Sequence, residues 1–119
     1  MIKKNIPVSS PVITKSDAEN VFKVVKSGWV SSSGEEINKF EKNLSKFVGR
    51  KYACAVSNGT AALEIAVKTL GIKKNEEIIM PSFTIISNAV AIIKNFAKPK
   101  LVDTDPKTWN IKISDIEKK

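Results

Sequence analysis

Tyr52-Ala53-Cys54-Ala55-Val56-Ser57-Asn58-Gly59-Thr60-Ala61-Ala62-Leu63 is the stretch whose reading decides the fold class of this chain. The run from Tyr52 to Val56 is short, apolar and bounded by polar residues, the pattern of a strand buried on both faces in a parallel sheet. Past the turn, Leu63, Ala66, Val67 and Leu70 recur at helical spacing, Glu64 and Lys68 pair on the opposite side, and Gly71 closes the helix. A strand passing through small residues into a helix makes a cradle for an anion. Gly59 lets the anion approach the backbone, Thr60 adds a hydroxyl, and the amides of the first helical turn face outward at the positive end of the helix dipole. A phosphate fits there without any lysine. The same residues also suit an ordinary turn with a helix cap and no ligand.

The flanking sequence extends the pattern in both directions. Residues 1–13 are expected to form an extended N-terminal arm, because Pro7 and Pro11 enclose Ser9 and Ser10. Thr14 to Asp17 has the spacing of a capping box. Ala18, Val21, Phe22 and Val25 then line one helical face until Ser27-Gly28 stops it. A second helix begins after Gly34, striped by Ile37, Phe40, Leu44, Phe47 and Val48, with Glu35, Lys39, Lys42 and Lys46 in water and Gly49 as the stop. Ile78 to Met80 reads as a strand feeding a helix near Ser87 to Phe96, and Leu101-Val102 as a third short strand. Strands alternating with helices define an α/β chain with a mostly parallel sheet and flanking helices. Ser114 to Glu117 has the spacing of another capping box.

Composition narrows the functional classes. With 42% apolar and 27% charged residues, the chain has ordinary globular usage rather than that of a disordered segment. No apolar run approaches the roughly 20 residues that cross a bilayer, and Met1-Ile2-Lys3-Lys4-Asn5 leads into no signal-peptide core, so a cytoplasmic location and no membrane partner are expected. The net charge of +8 raises nucleic acid binding, but of the 20 basic residues only Arg50 is an arginine, and the lysines are scattered; no nucleic-acid partner is expected. There is no histidine, which removes the commonest general base and metal ligand. Asp103 and Asp105 have no further acidic neighbours, so a turn nucleated by Asp105-Pro106 is favoured over a cation site, and no metal is expected. Cys54, the one cysteine, reads as a small hydrophobe inside its strand. Neither a Walker loop nor a GxGxxG fingerprint occurs.

The ordered segments Ser27-Gly28-Trp29-Val30-Ser31-Ser32-Ser33-Gly34, Val48-Gly49, Tyr52 to Leu63, Glu77-Ile78-Ile79-Met80-Pro81-Ser82-Phe83-Thr84-Ile85 and Leu101-Val102-Asp103-Thr104-Asp105-Pro106 resemble the N-terminal part of the DegT/DnrJ family of sugar aminotransferases, from about Pro11 to Ile116. The resemblance implies the large domain of the aspartate-aminotransferase-like fold (fold type I), present here incompletely, over 1–119. It implies pyridoxal 5′-phosphate as cofactor, with Gly59, Thr60 and Ala61 around its phosphate and Ile85 over its ring. The family usually places an aromatic residue where Ile85 stands. An aliphatic side chain covers a ring by dispersion but forgoes the roughly 1 kcal/mol of aromatic stacking, and Phe83 is weighed both as compensation and as a core residue. A Gly-Trp followed by hydroxyl residues lies near the family's active-site mouth, which marks Ser31 as a substrate contact, against the alternative of a plain surface loop.

By the same resemblance, the lysine that joins the cofactor as a Schiff base and the aspartate that pairs with its ring nitrogen lie beyond the end of this chain. No lysine here is therefore assigned a catalytic role. The family's sheet also places strands from later sequence between the strand at Tyr52 and the strand at Ile78, so both are expected to show unpaired edges. The expected activity is transfer of an amino group from an amino acid, commonly glutamate, to a nucleotide-linked keto-sugar in surface-polysaccharide synthesis. That enzyme is expected to be a homodimer, and this chain alone is expected to be inactive. The rival reading is a non-catalytic phosphate-binding or interaction module that pairs with a full-length relative.

Overall fold

Thr14 opens the first helix with the reciprocal bonds that its spacing predicts. In the computed structural model, which describes residues 6–118, Thr14 Oγ1 accepts the Asp17 amide at 3.3 Å while Asp17 Oδ2 accepts the Thr14 amide at 2.8 Å. The backbone bond from Thr14, then its hydroxyl, hold the Asp17 carboxyl below the usual carboxylate range. Helix α1, Lys15–Ser27, ends where Gly28 takes φ 73° and its amide returns to Val25 O. Before it, residues 6–14 carry neither helix nor strand; 1–5 of the expected arm lie outside the described residues.

The chain divides after Ala55 into two compact units. In the first, helix α2, Glu35–Phe47, starts from the buried Gly34. A side chain at Gly34 would put its Cβ 3.2 Å from Ser31 O and 3.3 Å from Trp29 Cδ1, so any larger residue there would make the 29–34 turn give by a few tenths of an ångström. Glu35 and Glu36 share Lys39 at 3.0 and 2.9 Å. The expected apolar stripes are present but uncovered. On α1, Val21, Phe22 and Val25 are exposed; on α2, Ile37 and Leu44 are half-buried while Phe40 and Phe47 are exposed.

Tyr52 to Val56, expected as a strand buried on both faces, is neither. A parallel strand exists only against neighbours that take its amides and carbonyls, and among the described residues no strand pairs with it. The Ala55 amide instead donates to Glu41 Oε1 at 2.7 Å. Cys54 is exposed, not a buried hydrophobe.

The second unit holds the sheet. Strands β1, Glu77–Pro81, and β2, Lys98–Val102, pair in parallel with Glu77 opposite Lys98 and Pro81 opposite Val102. Helix α4, Ser87–Lys94, makes the crossover between them. Met80, Ile92 and Ala97 form the buried centre, with Ile72, Ile78 and Ala89 packed against it. Helix α3, Gly59–Thr69, lies on α4, but not by the face that its periodicity indicates. Thr60, Ala61, Glu64 and Val67 are the partly buried positions, whereas Leu63, Ala66 and Leu70 stay exposed. The cause is the available partner: α4 flanks α3, and Glu64 reaches Lys94 at 2.6 Å rather than pairing with Lys68, while Asn95 Nδ2 donates to Glu64 O at 3.0 Å and Ala91 O at 2.8 Å.

After β2 the chain turns on Asp105, whose Oδ1 accepts the Lys107 and Thr108 amides at 2.8 and 3.0 Å, and Thr104 and Ile111 form an antiparallel bridge. The helical turn α5, Ile113–Ile116, follows Lys112 with no side-chain cap. Ser114 thus lies inside the turn, and the capping box expected from Ser114 to Glu117 does not form; Lys112 O takes the Asp115 and Ile116 amides directly.

Candidate phosphate cradle

Asn58, not Thr60, caps α3. Its extended backbone lets Oδ1 accept the Ala61 amide at 2.9 Å while its carbonyl takes the Ala62 amide at 3.1 Å. Ala61, expected to offer its amide to an anion, therefore already has a partner. The Gly59 and Thr60 amides have none among the described residues. A Cβ built on Gly59 would meet nothing within 4 Å, so packing does not demand glycine there.

Thr60 uses its side chain differently from a cap. Its Oγ1 donates to Ser87 Oγ at 3.0 Å, a bond across 27 residues that ties the first turn of α3 to the first residue of α4. Two helix starts meet there. The positive ends of both dipoles and two hydroxyls face one region, a donor set suited to an acceptor-only group such as a phosphate.

Ile85 lies two residues before Ser87, within about 7 Å along the chain. Its carbonyl accepts the Asn88 amide at 3.2 Å, and Asn88 Nδ2 donates to Thr84 Oγ1 at 2.8 Å, which fastens this loop to the start of α4. The Ile85 side chain is 67% exposed. Phe83 is not a core residue: it meets Trp109 edge to face at 4.9 Å, and both are exposed. The structure thus brings Gly59, Thr60, Ala61 and the Ile85 loop together through Ser87, which the sequence analysis did not select. Its only trace in the sequence is a hydroxyl residue opening the helix after the next strand.

Ser31 belongs to the other unit. It is exposed, its Oγ accepts the Ser33 amide at 3.2 Å, and it lines a groove of about 730 Å³ with Val24, Trp29 and Ile37. Asp103 accepts from Ser82 Oγ at 3.4 Å and from the Thr104 amide at 2.9 Å. No cluster of three or more histidine, cysteine or acidic residues is arranged to hold a metal among the described residues, nor is any helix there long and apolar enough to cross a membrane.

The model of the DegT/DnrJ/EryC1/StrS aminotransferase family matches residues 11–119. This chain belongs to that family. GDP-perosamine synthase of Escherichia coli O157:H7 is 42% identical over 116 residues, which are 98% of this chain and 32% of that protein. The chain therefore spans about a third of that relative's length. Among solved structures, the aminotransferase of Psychrobacter cryohalolentis superposes with a TM-score of 0.83 at 32% identity, over 94% of this chain and 29% of that one. The PLP-form of a putative sugar aminotransferase, Spr1654 from Streptococcus pneumoniae, gives 0.86 at 28%, over 97% and 29%. The incomplete α/β fold with its parallel sheet is that of the N-terminal part of these DegT/DnrJ proteins.

The donor set fits the phosphate end of pyridoxal 5′-phosphate. Two unpaired amides, and a hydroxyl pair with one hydrogen to spare beyond the bond between its members, suit a group that carries only acceptors, and no Cβ fills the approach at Gly59.

Proposed function

We propose that residues 1–119 are the cofactor-phosphate-holding N-terminal part of a cytoplasmic, homodimeric pyridoxal-phosphate-dependent aminotransferase. Its substrates are a nucleotide-linked keto-sugar and an amino-acid donor such as glutamate, and its products serve surface-polysaccharide synthesis. The observation that carries the reading is the cradle itself: the open Gly59 and Thr60 amides beside the Thr60–Ser87 hydroxyl pair, in a chain of this family. Gly59 and Thr60 bind the phosphate directly, and Ala61 continues the turn that aims them. Ile85 excludes water from one face of the ring. When bound, the cofactor supplies the electron sink that lets an amino group leave one carbon and join another. Ser31 is assigned to the sugar side, as a hydroxyl on an exposed turn.

No residue of this chain is assigned to linking the cofactor covalently. Borohydride reduction with pyridoxal 5′-phosphate, followed by peptide mapping, is expected to label many lysines at low level. Stoichiometric labelling of a single lysine would overturn that assignment.

The uncovered apolar faces of α1 and α2 favour one rival, an interaction module pairing with a full-length relative. A chimera separates the two. Residues 11–118 are exchanged for the matching part of the E. coli GDP-perosamine synthase, and the purified protein is examined for bound cofactor and amino transfer. Retention of both supports the aminotransferase; a folded chimera that keeps neither supports the interaction module.

A further inference from the structure

The Thr60–Ser87 pair contains more chemistry than a tie between helices. Each hydroxyl carries one hydrogen and two lone pairs, and one hydrogen is used between them at 3.0 Å. The 3.0 Å separation suits donation in either sense, and whenever Thr60 donates to Ser87 its hydrogen is not free for an anion. A phosphate beside the Gly59 and Thr60 amides offers only acceptors. For Thr60 to donate to it, Thr60 must turn its hydrogen outward, and its oxygen is then open to a donor. Ser87 is in place to be that donor by rotating its own hydrogen inward. The pair then runs from Ser87 through Thr60 to the anion, each bond polarising the next.

Resting on the cofactor-phosphate reading above, we propose that Ser87 is a positioning residue for this cradle: it fixes Thr60 Oγ1 at the joint mouth of α3 and α4 and becomes the donor within the pair when Thr60 turns to the phosphate. Ser87 is half-buried at the first position of α4, and its neighbour Asn88 is engaged with Thr84. No other side chain of the described residues bonds to the Thr60 hydroxyl. Replacing Ser87 with alanine leaves Thr60 without either the anchor or the replacement donor.

The test uses the 119-residue chain and pyridoxamine 5′-phosphate, whose amine forms no imine with the lysines, read by the phosphorus resonance of the ligand. Pyridoxamine without phosphate, read by its fluorescence, is the control. The wild-type chain is expected to bind the phosphorylated form saturably and in preference to the control. Ser87→Ala is expected to weaken phosphorylated-ligand binding about tenfold, the scale of one hydrogen bond to a charged group, leaving the control unchanged. Ser87→Thr keeps the hydroxyl and should stay within about twofold of wild type. Because Ser87 acts through Thr60, the double variant Thr60→Val, Ser87→Ala should bind no more weakly than Thr60→Val alone. Should Ser87→Ala fail to fold, Ser87→Cys, similar in size and a poor donor, reads the same loss.

Wild-type affinity in Ser87→Ala, or losses that simply add in the double variant, would overturn the positioning role while leaving the cradle intact. No preference for the phosphorylated ligand in the wild-type chain would instead overturn the cradle, and the proposal with it.

Discussion

Thr60 could have been a helix cap or a ligand, and the hydrogen bonds separate the two roles. Asn58 supplies the cap, so Thr60→Val removes a hydroxyl without uncapping α3. In the chimeric enzyme, Thr60→Val should weaken cofactor retention by roughly 1.5–3 kcal/mol, the range for hydrogen bonds to charged groups, while Thr60→Ser should be mild. Equal cofactor affinity in all three, measured by equilibrium dialysis, would leave Thr60 as no more than the partner of Ser87. Asp105 offers a test by pH. The Thr108 and then the Lys107 amides hold its carboxyl below the ordinary range. A carboxylate lowered on folding stabilises the turn above its unfolded value of about 3.9, and that contribution is lost as pH falls through the lower folded value. Trp109, whose amide donates to Asp105 O at 2.7 Å, should report the loss. In a Trp29→Phe background its fluorescence is expected to change below about pH 4, and Asp105→Ala should show the acid-form signal at neutral pH. An acid titration identical in both would assign the change elsewhere.

At the scale of elements, α3 shows how periodicity and packing part company. Its sequence carries an apolar stripe through Leu63, Ala66, Val67 and Leu70, yet only Val67 of these is partly buried, along with Thr60, Ala61 and Glu64. A helix buries the face that meets a neighbour, and the sheet that the stripe requires is not formed by Tyr52 to Val56. The cap is thus a large part of what starts α3. Asn58→Ala is expected to cost about 1 kcal/mol in the stability of the second unit, followed by urea unfolding. It should also loosen the cradle, because the Ala61 amide loses its partner. A change smaller than a few tenths would mean that packing on α4, not the cap, sets where α3 begins. The β1–α4–β2 crossover, by contrast, follows the expected pattern, because each strand has the other to pair with and α4 packs on both, Ile92 joining Met80 of β1 in the buried centre.

For the whole molecule, burial is uneven. Met80, Ala91, Ile92, Ala97 and Val102 are the buried apolar residues, and all lie in the second unit; in the first, among the described residues, only Gly34 and Ser45 are buried. Hydrophobic burial is the main force holding elements in place, so the two units should differ in local stability. Hydrogen exchange on the isolated chain is expected to show amides of α1 and α2 exchanging near unprotected rates while those of β1 and α4 are retained. Comparable protection in both units would show that the faces of Phe22, Phe40 and Phe47 are covered in solution, which is the interaction-module alternative in physical form.

The sequence by itself determined whatever depends on neighbours a few residues apart. The Thr14 capping box, the Gly28 and Gly71 stops, the crossover from Ile78 to Val102 and the Asp105 turn all rest on local bonds and short-range patterning. The family was legible because its motifs run in order along the chain, and the turn into α3 because it is contiguous in sequence. Only the tertiary structure decided that Tyr52 to Val56 stays unpaired, that Glu64 joins Lys94, and that Ser87 stands against Thr60. Each of these turns on which surface is available at long sequence separation, and one chain's residue pattern carries no record of what lies across the gap.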